Sequence, residues 1–396
     1  MKRPIYQYIP PIACDFSGAS SVLFSFPSLN IFYCPASCTQ PIAECDEIRN
    51  LQDSLVYHSI FGEVAAVMGS DKEFLEEAEI LSRRHDEVEF ITIISTPVPA
   101  IVGSDLSYMA AQLREKIQKP VLVVDTTGFE SYYSGVQQTL AEMAKQFLEK
   151  REKNPSQVNL VGYTPLSLGY ESQFDEFVEA LEKKGLTVHG LPRTMTCIED
   201  FKKLAEGSLN VVLSHEGVAL AQTMEKNLEI PYLLGMPVGH SKMAQMIQEI
   251  MVALGREANL VSEVAEKTDH SYKRAVVVGE PLVAASVAQA LREDFSFPEA
   301  VAVSAYEQER KLKKSYKEEA LQEVRYCSSE EELVVFLNEY QPDIIFGDPF
   351  YQKFIDSKFT YVPMSHVGLS GRVHQKYITS LVGNLGHKWL REALSK

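Results

Sequence analysis

Three stretches of this chain repeat one plan, and that repetition restricts the fold more than any other feature. "EFITIISTPVPAIVGSDLSYMAAQLREKIQKPVLVVDTTGF" (89–129) reads as an apolar strand, a loop, a helix, a proline and a second apolar strand. "LNVVLSHEGVALAQTMEKNLEIPYLLGMPVG" (209–239) repeats it, and "PDIIFGDPFYQKFIDSKFTYVPMSHVG" (342–368) repeats it with a shorter helical part. A further strand-then-helix pattern precedes each one: "EVAAVMGSDKEFLEEAEILSRR" (63–84), "QVNLVGYTPLSLGYESQFDEFVEALEKKGLTVHGLP" (157–192) and "RAVVVGEPLVAASVAQALREDF" (274–295). Continuous β-branched runs such as "AVVV" and "DIIF" suit strands covered by helices on both faces. The helix "FDEFVEALEKKG" has i, i+3, i+4 apolar spacing, with Gly185 as its stop. Strands alternating with helices predict parallel sheets.

The expected fold is therefore α/β, with three Rossmann-like domains and mainly parallel sheets, over residues 1–150, 151–268 and 269–396. Boundaries are expected where polar residues replace the apolar pattern, at "EKREKNPSQ" (149–157) and "EVAEKTDHSYK" (263–273). Ligands of such sheets bind at the carboxyl ends of the strands. The loops beginning at Ser95, Gly162, Ser214, Gly279 and Gly347 are thus the candidate binding loops.

Several functions are disfavoured. A net charge of −16 argues against a broad nucleic-acid surface. The basic run "ERKLKKSYK" (309–317) is flanked by glutamates and reads as a solvated helix face. No apolar stretch approaches the ~20 residues of a membrane span, and "MKRPIYQYIPP" lacks the apolar core of a secretory signal, so a cytoplasmic location is expected. The sequence contains no P-loop, no G-x-G-x-x-G after a strand, no G-x-S-x-G and no H-E-x-x-H. A dinucleotide-like fold without a nucleotide fingerprint calls for another cofactor.

Of the six cysteines, four lie near the N-terminus: Cys14, Cys34, Cys38 and Cys45. In a reducing compartment such a cluster points to metal or redox chemistry rather than disulfides. Its spacing matches neither the bacterial ferredoxin run nor a paired C-x-x-C zinc site. The alternative is that these are small buried hydrophobes, the reading preferred for Cys197 and Cys327.

"CDFSGA" (14–19) followed by "CPASC" (34–38) resembles the nitrogenase component 1 family, whose chains read C-x-F-x-G-A and then G-P-x-G-C. The ordered similarity continues through "FGEVAAVMGSDKEFLEEAEIL", "STPVPAIVGSDL" (95–106), "TTGFESYYSGVQQ" (126–138), "LEIPY" (228–232) and "PDIIFGDP" (342–349), essentially the whole chain. The family includes nitrogenases, dark-operative protochlorophyllide and chlorophyllide reductases, the reductive cyclase of nickel tetrapyrrole biosynthesis, and cofactor-assembly scaffolds. The resemblance implies a homodimer, or a heterodimer with a paralogous subunit, that takes electrons from an ATP-hydrolysing iron–sulfur reductase.

Carried over by residue, Cys14 and Cys38 match two cluster ligands, while the third family cysteine falls at Thr96. This implies a [4Fe–4S] cluster shared across a subunit interface, two ligands from each chain, rather than an eight-iron cluster. Cys34 stands where the family has glycine and is either a third ligand or a bystander; Cys45 is a weaker candidate. Ser214 replaces the cysteine that holds the nitrogenase cofactor, and the second cofactor ligand falls near Ser365 or His366, so no molybdenum-type cofactor is expected. The resemblance then implies a cavity for a tetrapyrrole or another reducible organic molecule. Ser214, His215, His240, His366, Arg372 and His374 are the cavity candidates, with His366, His374 and His215 as possible proton donors and Arg372 as a carboxylate clamp. Asp105 reads as a helix N-cap. The expected function is that of a nitrogenase-like reductase component. Its rivals are a cofactor-assembly scaffold, or a cluster-free relative that only holds a small molecule.

Overall fold

The structure, a computed structural model, describes residues 11–35, 55–61, 69–257, 272–305 and 319–395. Cys38, Cys45, the strand expected over 63–68, the basic run and most of the second boundary segment lie outside them. The described strands form three sheets, each wholly parallel. The first has the order β2-β1-β3-β4, from β1 (Ser28–Pro35), β2 (Leu55–Phe61), β3 (Phe90–Ile94) and β4 (Val121–Val124). The second runs β6-β5-β7-β8, from β5 (Gln157–Val161), β6 (Thr187–His189), β7 (Leu209–Val212) and β8 (Tyr232–Leu234). The third runs β11-β10-β9-β12-β13, from β9 (Arg274–Val278), β10 (Glu299–Ser304), β11 (Arg325–Tyr326), β12 (Ile344–Gly347) and β13 (Thr360–Pro363). The α/β class with parallel sheets expected from the repeats is thus present.

In every sheet the chain order reverses beside the first strand, so a switch point lies between β1 and β3, between β5 and β7, and between β9 and β12. Loops leave such a point in opposite directions and open a crevice there. The strands on either side are buried on both faces. Along β1, Phe32 and Cys34 enter one apolar cluster, while Leu29, Ile31 and Tyr33 enter another. This period-two alternation makes "SLNIFYCP" a central strand rather than a loop of exposed thiols.

The helix Asp15–Leu23 is buried at all nine positions. It packs on the helix Tyr132–Phe147 with almost no side chain between the two backbones. A Cβ built on Gly18 would stand 2.0 Å from the Tyr132 carbonyl oxygen, and one on Gly135 would stand 1.7 Å from the Asp15 carbonyl oxygen. The start of this first helix is pinned by its own buried Asp15. That carboxylate accepts the amides of Thr127 and Gly128, each at 2.7 Å, from the turn after β4.

The last described helix, Gly383–Leu394, returns to the second sheet's surroundings. Leu381 donates its amide to Gln173 Oε1 (3.0 Å) and Asn384 donates its amide to Glu176 Oε2 (2.8 Å). The helix itself lies against the helix Gly239–Ala253. Elsewhere, Asp105 caps the helix Leu106–Ile117 through the Tyr108 amide, as expected.

Because backbone cannot retreat, Gly135→Ala is expected to cost about 3 kcal/mol through overpacking. Gly279→Ala, whose nearest neighbour is the flexible tip of Met364 at 3.7 Å, is expected to be tolerated. Urea unfolding of the two variants checks this.

Candidate functional site

At the carboxyl end of the first sheet, Cys14 is the N-cap of the Asp15–Leu23 helix and is half-buried. Its amide bonds Ser17 Oγ at 3.3 Å, and its backbone bridges Ser131 at the start of the helix Tyr132–Phe147. Burial, and then the neighbouring Asp15 carboxylate, push the Cys14 thiol up to about 12. Without a metal or cation beside it, the sulfur keeps its proton.

Thr96, the position of the third family cysteine, is completely buried, and its hydroxyl donates to the Tyr33 carbonyl at 2.7 Å. Cys34 follows Tyr33 and is also fully buried, inside the apolar core. The described residues thus bring Cys14, Cys34 and Thr96 to one switch point, and only Cys14 among them keeps contact with solvent.

The segment before Cys14 joins this end to the third sheet. Ala13 donates its amide to the Gly368 carbonyl at 3.0 Å and Ile12 donates to Leu369 at 3.1 Å, within the short helix that follows His366. Tyr132 completes the junction. Its hydroxyl bonds Ser21 Oγ (2.8 Å) and Thr164 Oγ1 (2.9 Å), and its ring stands edge-on to His366 with centroids 5.9 Å apart.

The carboxyl ends of the second and third sheets face each other. Gly162 and Gly217 let the loops after β5 and β7 touch: a Cβ on either would stand 2.7 Å from the other's backbone. Across the seam, Glu280 caps the helix Pro281–Phe295 through the Val283 amide at 2.8 Å. Its other oxygen accepts the His215 amide, also at 2.8 Å.

Asp348, after β12, accepts the amides of His366 and Phe350, both at 2.7 Å, and the Ser370 hydroxyl at 2.9 Å. Glu216 is fully buried beside them; Ser167 donates to its Oε1, and Ser167 Oγ lies 3.0 Å from His366 Nε2. Ser214 stands within reach of Glu216, but its own proton is directed to the Gly162 carbonyl.

Between these loops is a cavity of about 40 Å³ lined by Ser167, Glu280, Asp348, Ser365, His366 and Thr379 together with apolar side chains. Such a volume holds a few water molecules, so a tetrapyrrole would need the two sheets to part along this seam.

Burial sets the protonation here. Desolvation raises Glu216, and desolvation followed by the charge of Glu216 raises Glu280. Desolvation pushes Asp348 up to about 6 and pulls His366 down to about 4 and His215 down to about 3.

Of the residues expected at the cavity, His366 lines it, while Ser214 and His215 lie buried behind its wall. His240 is elsewhere: it stacks on His387 with centroids 4.0 Å apart, and its Nε2 meets Asn384 Oδ1 at 2.7 Å. Arg372 and His374 sit on the turn Arg372–Tyr377, outside the cavity lining, with Arg372 exposed. Sequence reasoning missed Ser167, Glu216, Glu280, Asp348 and Tyr132. The signal available for two of them is an acid between glycine and proline after an apolar strand, "VVVGEP" and "IIFGDP".

A family model described as nitrogenase component 1 type oxidoreductase matches residues 14–383. The chain belongs to that family. One component of the light-independent protochlorophyllide reductase of Crocosphaera subtropica is 23% identical over 65% of this chain and 57% of its own length. The nitrogenase iron-molybdenum cofactor biosynthesis protein NifE of a Nostoc species is 23% identical over 51% of this chain and 43% of its own. The chain thus spans about half the length of the curated relatives it matches. A solved structure titled "Nitrogenase Cp1 at pH 6.5" superposes with a TM-score of 0.74 at 15% identity, covering 100% of this chain and 94% of that one. That likeness concerns the fold. Among the described residues no helix is long and apolar enough to cross a membrane, and no group of three or more His, Cys, Asp or Glu side chains is arranged to hold a metal ion.

His215 gives a pH dependence of defined sign. Its folded pKa lies below the ordinary value near 6.5, so the unfolded chain takes up a proton that the folded chain refuses. The stability it contributes is complete above the unfolded value and is lost as pH falls. From about pH 7 to about pH 5 this amounts to about 2 kcal/mol. His215→Gln is expected to narrow the difference in thermal midpoint between those two conditions.

Proposed function

We propose that this chain is the catalytic subunit of a nitrogenase-like reductase, organised as units 1–150, 151–268 and 269–396. It takes electrons from an ATP-dependent iron–sulfur partner and passes them to an organic substrate bound between the second and third units. The observation that carries this is the position of Cys14. It is a half-buried thiol at the switch point of the first sheet, tied through Ala13 to the loop that bears His366.

The donor set fits a cluster only when shared. Thr96 spends its hydroxyl on a backbone carbonyl and Cys34 is packed in the core; the family motif gives Cys14 and Cys38 as the two thiolates this chain would offer a [4Fe–4S] cluster, with Cys45 the weaker candidate. A second subunit, identical or paralogous, would supply the other two. When bound, such a cluster supplies one-electron transfer at a potential set by burial and hydrogen bonding. The chain's own part is to bury the ligand beside Asp15, to fix the helix that carries it through Gly18 and Gly135, and to keep neutral imidazoles at the cavity. A buried thiol with a raised pKa loses its proton when iron binds.

A cofactor-assembly scaffold is the second reading, favoured by the small cavity and by Thr96. It predicts a bound cluster and no turnover with any reductase.

Anaerobic purification with iron and sulfide analysis and reduced-state electron paramagnetic resonance tests the proposal. About two irons per chain are expected, lost in Cys14→Ala and in Cys38→Ala and retained in Cys34→Ala. Absence of iron after reconstitution overturns the redox reading and leaves a small-molecule-binding relative.

A further inference from the structure

We propose that Glu216, Ser167 and His366 form a proton store and relay, in which Glu216 holds the proton and His366 Nε2 exchanges it with whatever occupies the cavity. The placement is specific. Glu216 has no solvent exposure, Ser167 bonds its Oε1, and Oε2 has no hydrogen-bond partner among the described residues. Ser167 Oγ lies 3.0 Å from His366 Nε2, and that nitrogen is 4.0 Å from Glu216 Oε1. The His366 side chain keeps 12% of its exposure and lines the cavity with Ser167, whereas Glu216 stands behind them.

Two buried carboxyl groups share this seam, and their partners tell them apart. Glu280 accepts two backbone amides, from His215 and Val283, which can only donate and so favour the ionised form. Glu216 has a hydroxyl partner, which donates or accepts with equal ease and so accommodates a protonated acid. An ionised Glu216 would gain no donor from the neighbouring Ser214, whose proton goes to the Gly162 carbonyl, and among the described residues no lysine or arginine lines the cavity to offset the charge. The other titratable groups facing it favour neutrality. Glu280 and Asp348 add negative charge when ionised, and burial keeps His215 and His366 uncharged. By these partners Glu216 is the member of the pair assigned the proton, and its charge raises Glu280 only once that proton has been given up.

The transfer balances within the chain. With the Ser167 hydroxyl turned from Glu216 Oε1 towards a His366 ring that carries its proton on Nδ1, Glu216 gives its proton to Ser167 Oγ while the Ser167 proton passes to His366 Nε2, leaving a carboxylate and an imidazolium. The imidazolium gives that proton to the cavity occupant. One proton taken from water at His366 and passed back along the same path restores the acid. Its use in reducing a substrate rests on the redox reading above; the store and relay do not, because they need neither iron nor reductant.

The test is infrared difference spectroscopy on the full chain, without reductant, near neutral pH, with circular dichroism to check each variant's fold. The expected result is a protonated-carboxyl stretch that shifts in deuterated water and disappears in Glu216→Gln. Ser167→Ala is expected to keep the band and slow its exchange about tenfold, the factor that one ordinary hydrogen bond is worth, and Ser167→Thr, which keeps a hydroxyl, to restore the rate. The proposal is overturned if the wild type has no such band, if the band survives in Glu216→Gln, or if Ser167→Ala exchanges at the wild-type rate. Should Glu216→Gln not fold, the Ser167 pair still decides the relay. Iron content plays no part in the readout, so failure here and failure of the redox reading are separate results.

Discussion

Tyr132 meets all three sheets' surroundings through its hydroxyl and its ring, and the arrangement of the site follows from it. A buried phenol must find partners or lose the water it gave up. This one finds Ser21 on the first helix and Thr164 in the loop after β5, while its ring rests against His366 from the loop after β13. The tyrosine reaches that point because its helix lies backbone to backbone on the Asp15–Leu23 helix. Gly368 takes up the remaining space, since a Cβ there would stand 3.1 Å from the Tyr132 ring. The thiol of Cys14 and the imidazole of His366 are consequently placed by the same few contacts, although the two residues come from opposite ends of the chain.

The three sheets use their switch points differently. The first presents sulfur and a buried hydroxyl, Cys14 and Thr96; the second presents Ser167, Ser214 and Glu216; the third presents Glu280, Asp348 and His366. At the seam between the second and third, five ionisable groups are buried together. Low dielectric there makes ionisation expensive, which is why acids rise and imidazoles fall together. Such a seam keeps its two imidazoles uncharged near neutral pH.

Much of the architecture was legible in the sequence because strands covered on both faces leave unbroken apolar runs, and the prolines before β4 and β8 punctuate them. Cys14 was legible through its motif. The strand Ser28–Pro35 is less legible because its cysteine resembles a ligand position, whereas Cys34 packs with Phe32 into one of the two apolar clusters that cover the strand. His240 was assigned to the cavity as a loop residue, but it sits in the first turn of the helix Gly239–Ala253 and stacks on His387, a partner nearly 150 positions away that no local pattern reveals. The buried acids were hidden for a similar reason. A glutamate or aspartate beside a glycine reads as turn chemistry until the facing sheet is present to bury it.

The return of the helix Gly383–Leu394 to the second sheet's flank bears on how the chain acquires its structure during synthesis. Gln173, Glu176 and the Gly239–Ala253 helix emerge from the ribosome long before the segment that covers them. The middle of the protein must therefore wait, with an apolar flank open to water, until the third sheet has been made. Contacts of such long sequence separation form late and leave exposed intermediates. The middle sheet, the one that carries Glu216, thus completes its flank only after residues 381–394 have been made.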